Sequence, residues 1–105
     1  MTLSNKTLSN DEKKHLRRIG HDLKPIVTVG GKGLNENVLA ELDRALADHE
    51  LIKVKLAVGD RDAKKQVIDA ICEKLGAENV QTIGHMVLLL RRAKEPNPKL
   101  SNLLR

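Results

Sequence analysis

Phenylalanine, tyrosine and tryptophan are all missing from this chain of 105 residues. A protein that reads bases by stacking them on rings needs such side chains at its surface, so sheet platforms of the RRM type and ring-lined single-strand clefts are excluded. The core has to be assembled from Leu, Ile, Val, Ala and Met. The single cysteine, Cys72, can form no internal disulfide, and a reducing cytoplasm is the expected compartment. No apolar run is long enough for a signal peptide or a membrane span, so no membrane partner is expected.

Chemistry-bearing constellations are equally scarce. Neither His15 and His21 nor His49 and His85 stand at metal-ligand spacing from a cysteine or carboxylate, which predicts no metal. Glu36 occupies the position where a G-x-G-x-x-G run starting at Gly31 needs glycine, and no G-x-x-x-x-G-K-[ST] run occurs, which removes dinucleotide and P-loop cofactors. Cys72 lies beside Ile71 in an apolar stripe and reads as a small hydrophobe. With no nucleophile, base and orienting group together, an enzyme is not expected.

What the chain does have is positive charge, unevenly placed. Nineteen Lys and Arg against fourteen Asp and Glu give a formal +5, which favours polyanions without identifying one. Residues 1–24 hold six basic and three acidic side chains, residues 25–84 eight and ten, and residues 85–105 five and one. A basic face therefore has to draw on both ends of the chain.

Hydrophobic periodicity supplies the element order. Ser9-Asn10-Asp11-Glu12 is a capping box, and Leu16, Ile19 and Leu23 follow at helical spacing, with Lys13, Arg17, His21 and Lys24 on another face and Lys14 and Arg18 beside them. Pro25 stops this helix, and the β-branched run 26–29 predicts a buried strand. Gly30-Gly31-Lys32-Gly33 then leads to Asn35, the expected cap of a second helix whose stripe contains Val38, Leu39, Leu42, Ala45 and Leu46. Residues 51–58 alternate as in a half-buried strand, with Ile52, Val54, Leu56 and Val58 on one side and Lys53 and Lys55 on the other.

Asp60 caps a third helix with Val67, Ile68, Ile71 and Leu75 in its core stripe, and Gly76 ends it. Residues 80–83 and 86–90 flank Gly84-His85 as a hairpin, and Arg91 and Arg92 close the last strand. The order α-β-α-β-α-β-β predicts a two-layer α/β fold, a four-stranded mixed sheet with helices on one face and the Lys53 and Lys55 face partly in water. Residues 1–93 are expected to form one domain. Residues 94–105, with two prolines and no sustained period, are expected to form a flexible basic tail.

Three segments together resemble the YhbY-type CRM family, the chloroplast RNA splicing and ribosome maturation domain that also exists as a free-standing bacterial protein. They are Leu23-Lys24-Pro25-Ile26-Val27, Gly30-Gly31-Lys32-Gly33-Leu34 and His49-Glu50-Leu51-Ile52-Lys53-Val54-Lys55, and the resemblance spans about residues 9–92. It implies a fold similar to the C-terminal domain of bacterial initiation factor three and a G-x-x-G loop that contacts RNA as in KH domains. It also implies association with rRNA of large ribosomal subunit precursors, with a monomer expected. Lys32 as the second x is a variation that favours phosphate contact, whereas Glu36 and Glu41 just beyond do not.

The expected RNA-binding residues are Gly30, Gly31, Lys32 and Gly33 in the loop, Lys13, Arg17 and Lys24 on the first helix, Lys53 and Lys55 on the second strand, and Arg91. Glycines let main-chain amides approach a phosphate closely, and the following helix N-terminus adds favourable dipole. Lysine and arginine supply backbone contacts that carry little base information. The competing expectation is a protein-interaction module that docks on a ribosomal protein or an assembly GTPase through the open sheet face and tail residues Leu100, Leu103 and Leu104.

Overall fold

The structure, a computed structural model, describes residues 9–31 and 33–103. The elements run α1 (Asn10–His21), β1 (Pro25–Val29), α2 (Glu36–His49), β2 (Leu51–Leu56), α3 (Arg61–Leu75), β3 (Glu78–Ile83) and β4 (Met86–Leu90). The helix starts are set by the residues the sequence marks. Ser9 Oγ accepts from the Glu12 amide at 3.1 Å while the Ser9 amide donates to Glu12 Oε1 at 3.2 Å, the reciprocal capping box. Asn35 Oδ1 accepts from the Val38 amide at 2.9 Å, and Asp60 Oδ1 from the Ala63 amide at 2.8 Å. Gly76, with φ +67°, ends α3 in the left-handed region.

The sheet has the order β1-β2-β4-β3. β1 and β2 are parallel and joined by α2, whereas β4 runs antiparallel to both β2 and β3. Val27, Val29, Ile52, Val54, Leu56, Val87 and Leu89 face α2 and α3, where they close a core with Leu42, Leu46, Ile68 and Ile71. Full burial of each such Leu or Ile contributes about 1.5–3 kcal/mol.

The α/β class, the mixed four-stranded sheet and the element order agree with the sequence expectation, but the helices do not all lie on one face. α1 crosses the opposite face, where Leu16 packs with Leu51, Val80, Leu88 and Leu90, and Ile19 and Leu23 close around them. The cause is the composition of β4: its side chains are apolar on both faces, as a strand covered on both sides requires. Gly20 permits the approach, because a Cβ there would lie 2.7 Å from Leu88 Cδ1. α1 is narrower than the sheet, and Ile26, Thr28, Lys55 and Ile83 remain exposed on that face.

The segment expected to be a flexible tail departs from that expectation over residues 97–103. Glu50, 3% exposed and with φ +63°, ends α2; its Oε1 accepts from Ser101 Oγ at 2.6 Å and its Oε2 from the Ala93 amide at 2.7 Å. The Asn102 amide donates to the His49 carbonyl at 2.9 Å, Asn102 Nδ2 donates to the Leu51 carbonyl at 2.6 Å, and Leu103 packs on the α1 cluster. A buried carboxylate needs hydrogen-bond donors, and Ala93 and Ser101 supply them.

A candidate nucleic-acid interface

Three connections meet at one end of the sheet. The Val29 carbonyl accepts from the Ala57 amide at 2.7 Å, and the His85 carbonyl accepts from the Leu56 amide at 2.6 Å. These bonds bring the glycine loop after β1, the β2–α3 loop and the Gly84-His85 turn to the same edge. In the glycine loop the Gly33 amide donates to the Gly30 carbonyl at 2.9 Å, closing a tight turn, and Gly33 has φ +73°. A Cβ added at Gly30, Gly31 or Gly33 would meet nothing within 4 Å, so the space over the loop is open. Only Gly33 is demanded by the backbone itself. Lys32 lies outside the described residues. Beside the loop, a shallow cavity of about 360 Å³ is lined by Gly31, Gly33, Gly59 and Ala63, with no charged side chain among the described residues.

A second feature lies on the α1 face. Between α1 and the uncovered part of the sheet runs a groove of about 420 Å³, rimmed by Lys14, Arg17, Arg18, His21 and Lys53 and floored by Gln81, Ile83, Met86 and Leu88. Among the described residues no carboxylate lines it. Coulomb repulsion among neighbouring cations is relieved by a polyanion. Of the residues expected from sequence, Arg17 and Lys53 meet here. Lys55 stands on the same face directly opposite Met86, exposed. Lys24 joins Lys53 in an adjoining cavity of about 170 Å³ that also contains Ile26 and His49. Lys13 is half-buried on α1 and lines neither cavity.

Arg91 is placed differently. Its Nη1 donates to Asp43 Oδ1 at 2.7 Å and to the Leu75 carbonyl at 3.1 Å, and its Nη2 donates to the Asp43 carbonyl at 2.9 Å. It ties α2 to the C-terminal end of α3. It follows Leu90, which pairs with Leu51 at the start of β2, so it stands at the end of the sheet away from the glycine loop. Arg92 pairs with Glu12 at 3.0 Å.

One cationic group escaped the sequence reading. Arg61, Lys64 and Lys65 line a cavity of about 470 Å³ with Asn79, Thr82 and Gly84, beside the same hairpin but on the α3 side. The signal was their i, i+3, i+4 spacing in one helix, hidden by the net acidity of the middle of the chain. The remaining chemistry is muted. Burial pushes the Cys72 thiol above its ordinary range, and Asp69 and Glu78 push it further, so it is protonated at neutral pH and a poor nucleophile. Among the described residues no three metal-ligating side chains gather, and no helix is long and apolar enough to cross a membrane.

A family model described as the CRS1/YhbY (CRM) domain matches residues 8–91. The chain is 49% identical over 98 residues to a protein of Pseudomonas aeruginosa named as a probable RNA-binding protein, covering 93% of this chain and 94% of the relative. It is 48% identical over 94 residues to an RNA-binding protein of Haemophilus influenzae, with 90% and 95% covered. The solution structure of a Staphylococcus aureus protein, described provisionally as RNA-binding, superposes with a TM-score of 0.74 at 36% identity, covering 85% of this chain and 93% of that one.

Proposed function

Because the chain belongs to the CRS1/YhbY (CRM) domain family, we propose that it binds RNA, and that it grips the sugar-phosphate backbone of rRNA in large ribosomal subunit precursors. The observation that carries this reading is the cationic groove, with no carboxylate among its described lining residues, on the sheet face that also exposes Lys55 and reaching the end of the sheet where the glycine loop lies. Main-chain amides at the loop would take one stretch of backbone, and Lys14, Arg17, Arg18 and Lys53 the next. Arg91 is assigned to structure instead, since three of its donors already tie α2 to α3 and it stands at the other end of the sheet. The protein-interaction alternative loses part of its support, because Leu103 is used inside the molecule.

The test is the salt dependence of binding to rRNA fragments. Four phosphate contacts made by those cations give a log–log slope of about −3, from roughly −0.7 per contact on single strands. Replacing Arg17 and Lys53 by glutamine should flatten the slope by about 1.4. Gly31→Asp should weaken binding while the folded state is retained, because its side chain enters open space. A flat salt response in the unmodified protein would refute RNA as the partner. Sedimentation of cell extract tests the choice of RNA: co-migration with precursors of the large subunit is expected, and absence from those fractions would refute it.

A further inference from the structure

We propose that the groove between α1 and the sheet seats one unpaired nucleobase, its face on Ile83 and Met86 and its edge toward Gln81, with the cationic rim holding the flanking phosphates. The inference rests on the RNA-binding reading and adds to it the class of RNA, which must be single-stranded at this nucleotide. It starts from the floor of the groove rather than its rim. Ile83 is 63% exposed, the most exposed large hydrophobic side chain among the described residues, and it sits opposite Met86 on β4. An exposed Ile83 beside a half-buried Met86, in a groove rimmed by four Lys and Arg side chains, does nothing for phosphate binding. It suits a flat apolar surface delivered together with phosphates, and in RNA that surface is the face of a base.

Size and polarity fit the same occupant. The groove, at about 420 Å³, lies within the roughly 300–1,000 Å³ of small-ligand pockets. Gln81, opposite Leu88 on the same face, is the one side-chain amide of the described lining, and it offers both a donor and an acceptor to a base edge. A duplex cannot use this floor, because its base faces are stacked on one another and only edges and phosphates are presented. An unpaired nucleotide can. In a chain with no Phe, Tyr or Trp, Ile83 and Met86 offer a base the apolar surface that such rings give in other single-strand binders, beside the His21 imidazole on the rim.

The test measures affinity of the full chain, by fluorescence anisotropy, for a short unstructured RNA, a duplex of the same length and a ribose-phosphate chain lacking bases. The variants are Ile83→Ser, which removes the floor from an exposed position without altering charge, and Arg17→Gln with Lys53→Gln. The unstructured RNA is expected to bind more tightly than the duplex. Ile83→Ser should lower its affinity about fivefold, the lower end of one base stack, leave the salt slope unchanged and have no effect on the baseless chain. Equal binding of duplex and single strand, or an Ile83→Ser effect that is absent or equally large on the baseless chain, would overturn the base seat. The RNA-binding reading would survive that result if the glutamine variants still flatten the salt slope. Binding of no RNA, with an acidic peptide held by the groove instead, would overturn both.

Discussion

Replacing Gly20 by alanine tests whether the seat of α1 on the sheet is fixed by backbone approach. Gly20 is buried in the last turn of α1 over Leu88, and an added Cβ would stand 2.7 Å from Leu88 Cδ1 and 3.1 Å from its Cγ. Leu88 can give way only by turning its Cδ ends toward the groove it floors, because it is 4% exposed and set between Lys53 of β2 and Gln81 of β3. Overpacking of this kind costs about 1–3 kcal/mol, whereas the helix advantage of alanine over glycine is at most about 1 kcal/mol and smaller in a last turn. The expected balance is a loss of about 1–2 kcal/mol. Because α1 carries Lys14, Arg17, Arg18 and His21, the same displacement should widen the groove and weaken RNA binding. Urea titration followed by circular dichroism gives the stability change, with the midpoint moving and the slope unchanged. Shortening the neighbour by Leu88→Val should cost less in the Gly20→Ala background than in the native one, a coupling of about 0.5–3 kcal/mol. A Gly20→Ala protein at least as stable as the native one, or strictly additive losses, would refute the close-approach argument.

Arg91→Ala should lower stability by about 1–2 kcal/mol, because the partly buried Leu75 carbonyl loses its donor and the surface pair with Asp43 adds little; RNA affinity at matched folded fraction should stay within twofold, as binding assays below the urea transition would show, an estimate of about that size following from its position outside the groove. Gly33→Ala should cost about 1 kcal/mol from its φ of +73°, while Gly30→Ala should stay within about 0.5 kcal/mol, both read from urea midpoints. The raised Cys72 thiol makes the folded state hold this proton more tightly than the unfolded state does. That contribution to stability is fully present below the ordinary thiol range and is lost as pH rises through the folded value. Reaction with a thiol reagent at pH 8 should accordingly be slow in the native protein and accelerate on unfolding, and equal rates in the two states would contradict the assignment.

Local signals carried most of the fold into the sequence. Ser9, Asn35 and Asp60 each cap the helix they mark, the strands fall on the β-branched and alternating runs, and Gly84-His85 makes the hairpin. The position of α1 was less visible, because a helix stripe states that something must be covered without stating which sheet face will do it. The run 86–90 held the missing information, being apolar on both parities. The docking of residues 97–103 had no local signature at all: Ser101 and Asn102 answer hydrogen-bonding needs of His49, Glu50 and Leu51 that arise about fifty positions earlier. In the same way nothing in the pair Arg91-Arg92 separates a residue engaged by Asp43 from one on the surface. At the site, the α1 cations and Lys53 were legible as charge on a face. Their common groove and its Ile83–Met86 floor required the strand order, which places β4 between β2 and β3.

That strand order also explains how a chain without Phe, Tyr or Trp can leave part of one sheet face open and still fold. The face under α2 and α3 buries apolar side chains from three strands, β1, β2 and β4, and so makes the main core. Among the described residues the other face receives only α1 and Leu103, which cover one end of β2 and β4 and leave the rest open. Where the cover stops, lysine and arginine stems lie along aliphatic surface with their charges toward water, so the groove is apolar below and cationic above without any buried charge. A wider helix layer would bury more area and erase the groove. Removing α1 would leave Leu51, Val80, Leu88 and Leu90 in water. The partial cover is the arrangement that meets both demands, and it makes the contact of Gly20 with Leu88 a requirement of the interface as much as of the fold.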